Sequence, residues 1–194
     1  MRHRICTQAP TKPLQKWTAK SPTEIKAEGV RMRAIRNADT TNHGDGTDAY
    51  TLLRTAEQLA APTHKRILLL FHATWCVGCF GVHVFLHDPK VRTVLDRYFV
   101  IREIDTGERT KGWANPHADD LCWRYGPVVG IPYEAITDAS GHLIGASVQN
   151  GCDFSAPSDP VSVRLFLAML KKAAPSMSDA KIEVLRLGIE RAYG

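Results

Sequence analysis

The sequence has no apolar run approaching the ~18 residues that a membrane-spanning helix needs. Its N-terminus also lacks the apolar core of a secretory signal peptide. We therefore predict no transmembrane segment and, from the sequence as written, a cytoplasmic protein. A processed or incomplete N-terminus would instead allow a periplasmic or organellar location.

Cysteine is scarce and odd in number, since the 194 residues contain five. Small secreted domains held by disulfides carry a dense and even set of cysteines, so this class is excluded. The chain also lacks a nucleophilic-serine elbow and a glycine-rich phosphate loop. One close pair, Cys76 and Cys79, stands out, and such a pair indicates either redox chemistry or a metal site.

Charge is unevenly distributed along the chain. The net charge is +5, but residues 1–36 hold nine Lys and Arg against two Glu. This excess lies in a segment with scattered proline and no sustained apolar periodicity, which indicates a solvated arm and not a basic domain face. We predict no nucleic-acid binding. We divide the chain into a largely irregular basic extension, residues 1–46, and a folded domain, residues 47–194.

Apolar periodicity in the folded domain predicts an α/β class. Arg66–His72 contains an unbroken apolar run, typical of a strand covered on both faces, and Asp138–Gly141 is a turn signal between two strands. The predicted helices are 47–60, 76–86, 88–95, 118–125, 160–173 and 178–193, and the predicted strands are 66–72, 98–104, 133–137 and 142–148. This order predicts a central mixed sheet flanked by helices, with an extra C-terminal helix.

The cysteine pair lies directly after the buried strand, at the start of a helix. Cys76 would face the unpaired N–H groups and the positive dipole end of that helix, which favour thiolate over thiol. The thiolate is the attacking species in disulfide exchange. Cys79 lies about one turn further on, where it can close a disulfide with Cys76 and release the partner. We predict that both cysteines are catalytic.

Several segments resemble the thioredoxin family. Ala73–Cys79 is similar to its active-site segment, with Trp75 just before the first cysteine. Gly130–Pro132 looks like the family's second signature, in which a cis-proline lies beside the cysteines. Asp138–Gly141 resembles the turn of the family's terminal hairpin. The resemblance extends over residues 47–174.

This resemblance implies a thioredoxin fold and thiol–disulfide exchange. It implies that Pro132 follows a cis peptide bond, that Ile131 offers main-chain groups to an extended substrate, and that Trp75 shapes the substrate contact. The partners would be protein thiols or disulfides and a dithiol protein that gives or takes electrons, and no cofactor is required. Because Val77 and Gly78 include no histidine, we favour a reductase or isomerase over a strong oxidant.

The sequence departs from the family at Leu70. Thioredoxins usually carry a buried carboxylate there, six residues before the first cysteine. The family's proton acceptor for the resolving cysteine is missing, unless Glu103, Asp105 or a histidine replaces it. This departure keeps an alternative open, in which the protein is a non-catalytic binding or redox-sensing module, or one that binds a metal through Cys76, Cys79 and a histidine.

Two further groups of side chains have alternative interpretations. Cysteine and histidine are good ligands for zinc or copper, and the candidates around the pair are His72, Cys76, Cys79 and His83. We predict no native metal, because helical histidines are more often surface or capping residues. Cys122 and Cys152 are either a second pair or two unrelated side chains, and Cys152 is a candidate auxiliary thiol.

Overall fold

The computed structural model describes residues 44–107, 114–126, 130–149 and 151–193. The helices are α1 (Ala49–Ala60), α2 (Val77–His87), α3 (Pro89–Leu95), α4 (Ala118–Arg124), α5 (Pro160–Ala173) and α6 (Asp179–Tyr193). The strands are β1 (Arg66–His72), β2 (Phe99–Asp105), β3 (Tyr133–Thr137), β4 (Leu143–Ala146), β5 (Val148–Gln149) and β6 (Cys152–Asp153). Within these ranges, no helix has both the length and the apolar character required to cross a bilayer. The basic extension predicted for residues 1–46 lies outside the described residues, except for its last three.

Four strands form one mixed sheet in the order β2-β1-β3-β4. β1 runs parallel to β2 and antiparallel to β3, and β4 returns antiparallel to β3. The register pairs Leu70 of β1 with Glu103 of β2 on one side and with Glu134 of β3 on the other. Directly paired residues of neighbouring strands point to the same side of a sheet. These three side chains therefore form one row across the sheet, which we call the Leu70 row.

Helices cover both faces of this sheet. α2, α3, α5 and α6 cover one face, here the α2 face, and its core includes Leu70, Phe85 and Ile189. α1 and α4 cover the opposite face, whose core includes Leu53 and Leu121. Because Leu70 belongs to the first core, the whole Leu70 row lies on the α2 face. This is the side of the sheet on which the helix following the cysteine pair packs.

Aspartate residues start three of the helices. Asp48 accepts a hydrogen bond from a first-turn N–H of α1 at 3.0 Å, and Asp88 does so for α3 at 2.8 Å. Asp159 begins α5 in a reciprocal capping box with Ser162. Each carboxylate satisfies N–H groups that a helix leaves unpaired, an interaction worth about 1 kcal/mol. The local sequence therefore sets where these helices begin.

The predicted α/β class, with a central mixed sheet flanked by helices, is confirmed. The structure reproduces the predicted bounds of Arg66–His72, Tyr133–Thr137 and Pro160–Ala173. The predicted strand 142–148 is wrong in part, because β4 ends at Ala146 and Val148 starts a second, two-stranded hairpin. Strands of two residues carry no measurable periodicity, so the sequence pattern could not reveal this hairpin.

Candidate active site

Cys76 and Cys79 are joined by a disulfide at the start of α2, with their Cα atoms 5.2 Å apart. Cys76 is the N-cap residue of this helix, and its Sγ accepts a hydrogen bond from the Cys79 N–H at 3.2 Å. Cys76 retains 7% exposure, whereas Cys79 is completely buried. A partner that approaches from solvent therefore meets the first sulfur, and the second lies behind it.

The loop before β3 packs against this disulfide. The Cys76 Sγ lies 3.5 Å from the Ile131 carbonyl oxygen, and the Ile131–Pro132 peptide bond is cis. A Cβ added to Gly78 would lie 3.4 Å from Pro132 Cδ, so the loop touches the first turn of α2. The cysteine pair and the cis-proline loop, 55 residues apart in sequence, are thus in contact. They lie beside a sheet of the order β2-β1-β3-β4. The chain is a thioredoxin-fold protein.

No family model matches the chain. The thiol:disulfide interchange protein DsbD of Salmonella typhi is 28% identical over 132 residues, which are 67% of this chain and 19% of that protein. The chain therefore spans about a fifth of the length of this relative.

Two solved structures give matches of low TM-score. Disulphide isomerase from Xylella fastidiosa Temecula1 has a TM-score of 0.48 and 22% identity, over 76% of this chain and 95% of that one. The oxidised C-terminal domain of Neisseria meningitidis DsbD has a TM-score of 0.40 and 24% identity, over 52% of this chain and 82% of that one. The fold assignment thus depends on the strand order and on the geometry of the site, and not on these two matches.

The structure brings the predicted site residues together. Ile131 and Pro132 contact the helix turn that carries Cys76 and Cys79. Trp75 immediately precedes Cys76 and is half-buried. These five residues therefore lie in one region of the fold, and the substrate-binding roles of Trp75, Ile131 and Pro132 remain predictions.

Glu103, at the β2 end of the Leu70 row, is held by two histidines of α2. One carboxylate oxygen lies 2.5 Å from His83 Nδ1 and the other 2.6 Å from His87 Nε2. Burial of Glu103 favours the neutral acid, but the hydrogen bonds with both histidines outweigh it and lower the pKa of Glu103 to about 2. Glu103 is therefore an ion-paired carboxylate that ties α2 to β2, and it is not poised to accept a proton from a cysteine near neutral pH.

Asp105 does not replace the missing carboxylate either. This buried residue accepts hydrogen bonds from the Gly107 N–H at 2.8 Å and from the Gly44 N–H at 3.3 Å, one on each carboxylate oxygen. It therefore fixes the backbone of two neighbouring loops.

The metal set considered from sequence is not assembled in this structure. The sulfurs of Cys76 and Cys79 are bonded to each other, and His83 contacts Glu103. Among the described residues, the group of three ligand-type side chains whose ligand atoms all lie within 4.8 Å of one another is instead His83, His87 and Glu103. The ion pair with Glu103 is sufficient to explain why these three groups are close together.

Glu134, at the β3 end of the Leu70 row, is a residue that the sequence analysis missed. It is 1% exposed, and neither carboxylate oxygen forms a hydrogen bond to a described residue. Burial raises the pKa of Glu134 well above its usual range, and the neighbouring Ser147 hydroxyl opposes this rise only in part. The Ser147 Oγ accepts the Glu134 backbone N–H at 2.9 Å, and among the described residues no hydrogen bond of ordinary geometry joins its hydroxyl to the carboxylate.

Tyr193, at the end of α6, is a second residue that the sequence did not reveal. Its hydroxyl donates a hydrogen bond to the Gly78 carbonyl oxygen at 3.0 Å, across 115 residues of sequence. Its ring fills the space beside Gly81, where a Cβ would collide with it. Burial, followed by the nearby Glu134 charge, raises the pKa of Tyr193 well above its usual range. The C-terminal helix therefore contributes directly to the surroundings of the cysteine pair.

Cys122 is free and buried in α4. Burial, with a smaller contribution from the Asp119 charge, raises the pKa of the Cys122 thiol to about 12. The pairing of Cys122 with Cys152 is therefore excluded, and a thiol of such high pKa is unreactive near neutral pH.

Proposed function

We propose that the protein is a thiol–disulfide oxidoreductase that exchanges disulfides with protein partners through Cys76 and Cys79. The observation that carries this proposal is the position of the two cysteines at the helix N-terminus, the first with 7% exposure and the second completely buried. The hydrogen bond from the Cys79 N–H to Cys76 Sγ, together with the helix dipole, stabilises a Cys76 thiolate in the reduced protein. The curated relative, DsbD, is itself named for thiol:disulfide interchange.

The exchange proceeds in two steps. The Cys76 thiolate attacks a partner disulfide, the S–S bond of the partner breaks, and one partner sulfur leaves as a thiolate. Cys79 then loses its proton and attacks Cys76 Sγ, which forms the internal disulfide and releases the second partner sulfur. Two electrons pass from the protein dithiol to the partner, and the reverse sequence returns them.

The surroundings of the disulfide suit an extended partner segment. The Ile131 carbonyl oxygen lies 3.5 Å from Cys76 Sγ, so the main chain at Ile131 is close enough to contact residues that flank a partner cysteine. Trp75, next to Cys76 in sequence, and Pro132, which packs against the turn at Gly78, would provide apolar contact to that segment. The chemistry needs no organic cofactor, because a second dithiol protein supplies or accepts the electrons.

An insulin-reduction assay with dithiothreitol as electron donor tests this function. We expect the wild type to accelerate reduction, Cys76→Ser to lose the acceleration, and Cys79→Ser to accumulate a mixed disulfide on a non-reducing gel. Cys122→Ala is the matched control, because Cys122 is a buried thiol of raised pKa. Wild-type activity in Cys76→Ser would contradict the proposal.

A further inference from the structure

Three carboxylates lie at or near the Leu70 row, and only one of them lacks bound partners among the described residues. Glu103 is ion-paired with His83 and His87, and Asp105 binds backbone N–H groups. Both oxygens of Glu134 are buried without a hydrogen bond. A buried carboxylate without partners is costly, so its presence calls for a physical explanation.

Glu134 follows closely after the loop that contacts the first turn of α2. Pro132, which contacts that turn at Gly78, is only two residues before Glu134, a distance of about 7 Å along an extended chain. The side chain of Glu134 points to the α2 face, since Glu134 is paired with Leu70. Cys79 lies on α2 above the same face, fully buried.

Tyr193 provides an independent marker of this position. Its hydroxyl is hydrogen-bonded to the Gly78 carbonyl, between the two cysteines in sequence. The same side chain is close enough to Glu134 for the carboxylate charge to act on it. Glu134 and the Cys76–Cys79 turn therefore both lie next to Tyr193.

We propose that Glu134 is the proton acceptor for the resolving cysteine, Cys79, and that the carboxylate absent at Leu70 has been replaced across the β1–β3 pair. This inference rests on the proposed function. In the mixed disulfide, the Cys79 S–H transfers its proton to the Glu134 carboxylate, which becomes a neutral carboxylic acid. The Cys79 thiolate attacks Cys76 Sγ, a Cys76–Cys79 bond forms, and the bond from Cys76 to the partner breaks. The partner sulfur leaves with the electron pair of that bond.

The groups that surround Glu134 suit a base and not a permanent ion pair. The titratable groups that interact electrostatically with Glu134 are Tyr193 on α6, Asp153 on β6 and Tyr133 on β3. Among the described residues, none of the groups that act on its charge is a cation. A carboxylate whose anion is not stabilised by a cation binds a proton more strongly than an ordinary glutamate, which brings its pKa closer to that of a thiol.

The test measures the resolution step by stopped flow, from about pH 6 to about pH 9. Reduced protein is mixed with Ellman's reagent, and release of the second thionitrobenzoate reports attack by Cys79. We expect the wild-type rate to reach a plateau as Glu134 ionises. In Glu134→Gln the proton must go to solvent, so we expect at least a tenfold lower rate near pH 7 and a rate that still rises tenfold per pH unit.

Two further variants keep the inference falsifiable. Glu103→Gln is the matched control at the other end of the Leu70 row, and we expect it to retain the wild-type profile because Glu103 titrates near pH 2. Leu70→Asp combined with Glu134→Gln restores a carboxylate on the paired position, and we expect it to recover the plateau. A uniform loss at every pH in Glu134→Gln, or an unchanged profile, would overturn the assignment. Failure of the wild type to release any thionitrobenzoate would instead contradict the proposed function.

Discussion

At the scale of single residues, Glu103 shows how a partly buried acid is kept ionised. Its two oxygens are shared between His83 and His87, which are four residues apart on one face of α2. The imidazole rings of these histidines also lie against each other, with centroids 4.2 Å apart and planes tilted by 35°. The carboxylate thus joins the helix that follows the cysteine pair to the neighbouring strand β2.

This ion pair predicts a pH-dependent contribution to stability. The pKa of Glu103 falls from 4.5 to about 2 on folding, so its stabilisation is complete above the unfolded value and is lost as the pH falls towards 2. We expect Glu103→Gln to lower the free energy of unfolding by about 2 kcal/mol at neutral pH. The difference from wild type should shrink below about pH 4, as measured by urea unfolding.

The exposed i, i+4 pair of Arg92 and Asp96 on α3 provides the control for this measurement. Surface pairs of this kind contribute about 0.5 kcal/mol or less, so Asp96→Asn should change stability little. An equal loss of stability in Asp96→Asn and Glu103→Gln would show that the ion pair of Glu103 with His83 and His87 is no stronger than an ordinary surface pair.

At the scale of elements, α6 depends on close helix packing that glycine permits. A Cβ on Gly188 would overlap a methyl group of Val91 in α3 and lie 3.3 Å from the Phe85 ring in α2. Gly188 therefore lets α6 approach α2 and α3 at the same time. Two apolar residues of α6, Leu185 and Ile189, are completely buried in the core of the α2 face.

Gly188→Ala separates packing from helix propensity, because the two effects have opposite signs. On an open helix surface this change stabilises by about 1 kcal/mol, whereas overpacking a core costs about 1–3 kcal/mol. We expect a net loss of stability in thermal unfolding. Leu187→Ala, at an exposed neighbouring position, is the control and should have a small effect. A higher melting temperature for Gly188→Ala would contradict the close packing.

The same elements show what the sequence could and could not predict. Strand β1 was predicted within its observed bounds because a run of five apolar residues is a local signal. The cysteine pair at a helix start was also a local pattern, read from Trp75 and the residues that follow it. Glu134 lay in a correctly predicted strand, and an acid among apolar residues was the available signal. Its importance depends on pairing with Leu70 and on Tyr193, contacts that bring together residues far apart in sequence.

At the scale of the whole molecule, the direction of electron flow depends on how strongly the reduced form is stabilised. The helix N-terminus stabilises a Cys76 thiolate, but Val77 and Gly78 contribute no charge between the cysteines. We therefore expect a reduction potential near about −270 mV, typical of a reductase, and not near about −120 mV, typical of a strong oxidant. Equilibration with glutathione or dithiothreitol buffers, followed by thiol trapping, measures this value. A reduction potential close to that of a strong oxidant would contradict the prediction that the protein acts as a reductase.

Leu70 has a second structural role, because it lies between two glutamates, Glu103 and Glu134. A leucine side chain carries no dipole that could relay or share a proton, so it insulates Glu103 from Glu134. One neighbour remains a stable anion that braces α2 against β2, while the other is left to respond to events at the sulfurs. An apolar side chain in the centre of the sheet thus separates two glutamates with different roles. Glu103 stabilises the fold, and Glu134 takes part in the proposed proton transfer.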